Sequence, residues 1–152
     1  MATTLIKNGQ VISTSGVIAQ DVLITGETIT ALGAPGFFTE EGHDKVIDAA
    51  GKYVIPGGID VHTHMELPFG GTFASDTFET GSRAAAWGGT TTIVDMAVQR
   101  YGENVFDGLA EWHRKADGNC AIDYGFHQII GGVDEQSLKA LTYLTEHEGV
   151  TS

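Results

Sequence analysis

Apolar positions in the first fifty residues come in short alternating runs broken by turn residues. Leu5-Ile6-Lys7 and Gln10-Val11-Ile12 flank Asn8-Gly9, a pair that tolerates positive φ, and this predicts a two-residue hairpin. Asp21-Val22-Leu23-Ile24-Thr25 and Thr28-Ile29-Thr30-Ala31-Leu32 flank Gly26-Glu27 and predict a second. Residues 33–44 hold Pro35 and no period, so a loop is expected there. Lys45-Val46-Ile47-Asp48 and Lys52-Tyr53-Val54-Ile55 complete a small all-β module.

After Pro56-Gly57-Gly58 the pattern changes to alternating strands and helices. Ile59 to His64 reads as a short strand. Asp76-Thr77-Phe78-Glu79 opens a helix with Asp76 as N-cap, and Gly88-Gly89 closes it. Thr90 to Met96 is a β-branched run, the pattern of a buried parallel strand. Val105, Leu109, Trp112 and Ala116 recur at helical spacing. Ile122, Tyr124 and Phe126 alternate along a third strand that continues to Ile130, and a third helix carries Leu138, Leu141, Leu144 and Thr145 on one face. Trp87, Trp112, Tyr124 and Phe126 read as core. Val150-Thr151-Ser152 looks like the start of a fourth strand. Three βα units imply a parallel sheet with right-handed crossovers. Periodicity fits a small open sheet as well as the opening of an eight-fold barrel, which takes about 250 residues.

Composition narrows the function classes. Of 152 residues 41% are hydrophobic and 18% charged, with a mean hydropathy of -0.01: a globular composition, long enough for one domain with a core. Eight Lys and Arg against 20 Asp and Glu give a net charge of -12, which excludes nucleic acid and anionic membrane surfaces as partners. A single cysteine, Cys120, makes no internal disulfide, so a reducing, cytoplasmic setting is expected. No signal peptide is read at the start, and no stretch approaches the roughly 18 apolar residues of a membrane span. Glycine stands out at 21 residues, about twice the usual ~7%. Pairs at 57–58, 70–71, 88–89 and 131–132 punctuate a tightly turned fold.

His62-Thr63-His64 ends the first βα strand. Residues i and i+2 share a face, so two imidazoles there can converge on one ion. Alone the H-x-H pattern is weak, and two histidines hydrogen-bonded in a turn is the plain alternative. Position sharpens it, because active sites gather at the C-terminal ends of parallel strands. Asp60 lies two residues earlier on the same face. Its carboxylate either receives an imidazole N–H and fixes the tautomer, or caps neighbouring backbone amides. Asp95 and His127 also lie near strand ends and read as structural or as support for the site.

The run Val54-Ile55-Pro56-Gly57-Gly58-Ile59-Asp60-Val61-His62-Thr63-His64 resembles the first-strand signature of the amidohydrolase superfamily. The stretches Met65 to Gly71, Asp76 to Ser82 and Gly88 to Asp95 are similar to hydantoinases and dihydropyrimidinases, as are Leu5 to Gly9 and Ile47 to Val54. The resemblance implies an α/β fold: a small β-sandwich-like module over residues 1–55, then the first three βα units of a TIM-like (β/α)8 barrel over 56–152, cut at the start of strand 4. It makes His62 and His64 metal ligands of a site that holds two zinc ions per subunit. A carboxylated lysine beyond Ser152 bridges them, in a Ser-Phe-Lys run whose serine is Ser152. No catalytic residue is visible within the chain. Met65, Leu67 and Phe69 become part of a lid against the substrate. The implied activity opens cyclic amides to N-carbamoyl amino acids, and the implied assembly is a homo-oligomer, a tetramer. Allantoinases and dihydroorotases are the nearest enzymatic alternatives, and a non-catalytic dihydropyrimidinase-like assembly protein is the other. Retention of both histidines argues against the last.

Overall fold

The computed structural model describes residues 1–152, which divide into two compact units, Met1–Pro56 and Gly57–Ser152.

The first unit is one five-stranded sheet: β1 (Thr3–Ser13), β2 (Gly16–Thr25), β3 (Thr28–Gly33), β4 (Lys45–Asp48) and β5 (Tyr53–Val54). The order is β3-β2-β1-β4, with β5 also on β1. The first three strands run antiparallel, while β4 and β5 pair with β1 in parallel. Gly26-Glu27 is the expected two-residue turn, with Thr25 opposite Thr28. Asn8-Gly9 is not a hairpin. β1 runs straight through it with a register shift between Ile6 and Gly9, and Asn8 sits at φ 63°. A bulge uses the same positive φ as a turn. Two tertiary partners decide in its favour: the Asn8 N–H donates to Asp21 Oδ1 at 2.8 Å, and a Cβ on Gly9 would come within 2.5 Å of Val54.

The second unit contains β6 (Gly58–Thr63), β7 (Pro68–Phe69), β8 (Thr72–Phe73), α1 (Phe78–Trp87), β9 (Thr90–Val98), α2 (Val105–Ala116), β10 (Asp123–Ile129) and α3 (Glu135–His147). β10, β9 and β6 form a parallel sheet in that order, and β7 and β8 make a small separate hairpin. Phe78, Ile93, Leu109, Trp112, Phe126 and Leu144 meet in its core, each worth roughly 1.5–3 kcal/mol of apolar burial.

Three details differ from expectation. The α1 cap is Thr77, one residue later than Asp76, because Thr77 and Thr80 exchange side-chain and backbone bonds as a capping box. α3 buries Ser137, Ala140 and Leu144, whereas Leu138 is 57% exposed. Its cap turns the helix: Asp134 accepts from Ser137 N at 2.7 Å, and Ser137 Oγ donates to Gly132 O at 3.0 Å. Trp87 is exposed rather than core, at the last position of α1.

Candidate functional site

The site lies at the carboxyl end of β6. His62 and His64 point the same way, as alternate residues of an extended chain do. Their Nε2 atoms are 3.1 Å apart, with ring centroids at 4.9 Å and planes at 84°. Both residues are exposed. Two nitrogens at that separation, each about 2.0–2.1 Å from a common ion, subtend about 95–102° at it, close to a tetrahedral angle. The same 3.1 Å is a hydrogen-bond distance between the two rings, so the pair has the spacing and the donor chemistry either for that bond or to share a zinc-like divalent cation. No third His, Cys, Asp or Glu joins them within residues 1–152.

The Asp60 carboxylate accepts the backbone N–H of His62 at 3.1 Å, the backbone-capping option, and receives no ring N–H. Its side chain stabilises the strand end through the main chain. Met65 and Leu67 are half-buried against the core of the second unit. Phe69 is 80% exposed at the tip of the β7–β8 hairpin, before Gly70 and Gly71. The connecting Glu66 takes φ 53°, its N–H donates to Asp76 O at 2.9 Å, and Oε1 accepts from Phe78 N at 3.3 Å. This loop is therefore tied to the start of α1 at its root and free at its tip.

Sequence reasoning gave Thr63 no role and Asp95 only a supporting one. Asp95 is wholly buried on β9. It accepts from Thr63 Oγ1 and Met65 N, both at 2.7 Å, and from Trp112 Nε1 at 2.8 Å. The signal was present: a carboxylate inside the run Thr90 to Val98 must find donors if that run is buried. On β10 the half-buried His127 places Nε2 at 2.9 Å from Val61 O, while its Nδ1 meets Ser152 Oγ. Nearby, Gln128 N donates to Ser152 O at 2.9 Å.

Successive parallel βα units with paired imidazoles at the end of the first strand define the class: an α/β scaffold of parallel βα units whose candidate site lies at the carboxyl end of its strands. The profile of the Amidohydrolase family matches residues 53–138, more than half of the chain, and the chain belongs to that family. It is 59% identical to a D-hydantoinase of Streptomyces coelicolor over 151 residues, covering 98% of this chain and 32% of that protein. A D-hydantoinase of Geobacillus stearothermophilus is 45% identical, with 99% and 31% covered. The crystal structure of a dihydropyrimidinase from Brevibacillus agri superposes with a TM-score of 0.91 at 45% identity, over 98% of this chain and 32% of that one. The chain thus spans about a third of the length of the relatives it matches. No helix is long and apolar enough to cross a membrane.

Proposed function

We propose that the protein carrying this chain is a metal-dependent cyclic amidohydrolase of the hydantoinase and dihydropyrimidinase type, which opens a cyclic amide to an N-carbamoyl amino acid. The observation that carries this reading is the 3.1 Å approach of the His62 and His64 Nε2 atoms at the end of β6. The similarity to D-hydantoinases across nearly the whole chain supports the substrate class.

In this reading residues 1–55 belong to a β-sandwich-like module, and 56–152 are the first three βα units of a barrel. His62 and His64 would together hold one of two zinc ions and would take no proton during the reaction. The rest of the ligand set, a carboxylated lysine included, lies outside residues 1–152. When bound, such ions would lower the pKa of water into the neutral range and would polarise the carbonyl under attack. Asp60 steadies the strand end. Met65 and Leu67 root the loop, so that Phe69 can close over the exocyclic group of the substrate. A tetramer is the proposed assembly.

The test is metal content and ring opening of hydantoin and dihydrouracil by the full-length protein, beside its His62→Ala/His64→Ala variant. About two ions per subunit and turnover are expected for the parent, with ion and turnover both lost in the variant. Undiminished turnover by the variant would overturn the assignment.

A further inference from the structure

The backbone that carries the two histidines is not held by ordinary strand pairing. β6 pairs with β9 at Gly58, Ile59, Asp60 and Thr63, but the register shifts between Asp60 and Thr63. Val61 and His62 fall in that gap. Side chains of the neighbouring strands hold this stretch instead. His127 on β10 reaches the carbonyl of Val61 at 2.9 Å. Asp95 on β9 takes the hydroxyl of Thr63 and the amide of Met65, each at 2.7 Å. The grips fall on residues 61, 63 and 65, and the imidazoles on 62 and 64. The neighbouring strands hold every second residue and the ones between present their imidazoles, the His62 N–H being bonded within its own strand to the Asp60 carboxylate at 3.1 Å.

Asp95 is the centre of this arrangement. Its remaining oxygen accepts from Trp112 Nε1 at 2.8 Å, which ties the same carboxylate to α2 in the core. An ionisable group in a fully buried position costs desolvation that an apolar residue would avoid. Three donors converging from β6, the loop after it and α2 offset that cost, and two of the three flank His64. Metal ligation tolerates only about 0.2 Å in ligand distance, so a strand end free to rotate would not keep both nitrogens on one ion.

We propose that Asp95 is the positioning residue of the His62–His64 pair, acting through Thr63 and the Met65 amide, with His127 holding the other end of the segment. The proposal rests on the metal-site reading above. It assigns Asp95 no contact with substrate or ion.

The test uses the full-length protein with Co2+ as the probe. It measures apparent affinity by chelator competition, the visible ligand-field spectrum, and thermal unfolding. Thr63→Val keeps the shape of the side chain and removes only the hydroxyl donor, so it folds whether or not Asp95→Asn does. Thr63→Val and folded Asp95→Asn are expected to weaken Co2+ binding about 10- to 100-fold and to shift the spectrum. Thr63→Ser, which restores the donor, is expected to return affinity to within about 2-fold of the parent. Parent affinity and spectrum in Thr63→Val, with ion binding lost in His62→Ala/His64→Ala, would overturn the positioning role and leave the metal site standing. Parent Co2+ binding by the double-histidine variant would overturn both.

Discussion

β6 and β9 are parallel neighbours in one sheet, yet they are built on opposite plans. β9 buries Ile93, Asp95 and Ala97 completely at alternate positions, and it pairs with β10 through seven consecutive residues without a register shift. β6 buries none of its six residues and shifts register twice against β9. The regular strand supplies the framework, and the irregular one supplies the groups exposed for chemistry. Regular pairing fixes every backbone amide and leaves little freedom to aim a side chain. Interrupted pairing frees the strand end, which then needs Asp95 and His127 to define it.

The sharpest way to break this division is to disturb the framework strand. Ile93 is 0% exposed in the core cluster, and Ile93→Ala should cost about 3 kcal/mol of unfolding free energy through lost transfer and a residual cavity. Asp60→Ala on β6 removes one exposed backbone contact and should change stability by less than about 0.5 kcal/mol. Denaturant unfolding of both variants in the full-length protein checks the contrast, and equal losses would erase it. A second disturbance acts on the helix against the same strand. A Cβ on Gly108 would come within 2.7 Å of the Val98 carbonyl oxygen. Backbone cannot yield as a side-chain tip can, so Gly108→Ala should cost about 2 kcal/mol by overpacking, read by the same unfolding measurement.

A smaller effect is expected on the β6 side. Thr77 caps α1, the helix that follows the loop after the histidines, through its bond from Thr80 N at 3.1 Å. Thr77→Ala should cost about 1 kcal/mol, with Thr77→Ser close to the parent. A loss as large as that of Ile93→Ala would mean that the site side of the unit is as much a part of the framework as β9.

What the sequence made legible follows the range of the interactions. The Gly26-Glu27 turn, the Gly88 stop and the β-branched run of β9 are local patterns, and they lie where the pattern puts them. Asn8-Gly9 is also locally clear in wanting positive φ, but Asp21 and Val54, far along the chain, choose a bulge over a turn. The buried face of α3 departs from the apolar spacing because the bond from Ser137 Oγ to Gly132 O fixes the rotation of the helix, and apolar spacing does not record that. For the site, His62 and His64 were visible as a pair at a strand end. The bonds of Asp95 to Thr63 and Met65 span 32 and 30 residues, so only the oddity of a carboxylate in an apolar run pointed to them.

The smallest effect is absent at neutral pH and appears only on raising it. Cys120 packs half-buried against the core of the second unit. Burial pushes its thiol up to about 11, and the negative charges of Asp95 and then Asp117 add to the shift. Between its ordinary value near 9 and about 11, the folded protein keeps a proton that the unfolded chain has lost. Fewer protons in the unfolded state mean that stability falls as pH rises through this window and is untouched below it. Tyr124, whose hydroxyl donates to Asp117, is raised to about 12 and acts in the same direction at higher pH. Unfolding curves at pH 8, 9.5 and 10.5 should therefore show a decline that is shallower in Cys120→Ser, and iodoacetamide should label the folded parent slowly at pH 8.5. Because the Asp95 charge contributes to the shift, Asp95→Asn should make Cys120 faster to alkylate at pH 9.5 than in the parent. An unchanged alkylation rate in that variant, with the fold intact, would mean that the buried carboxylate at the heart of β9 does not act on its surroundings through its charge.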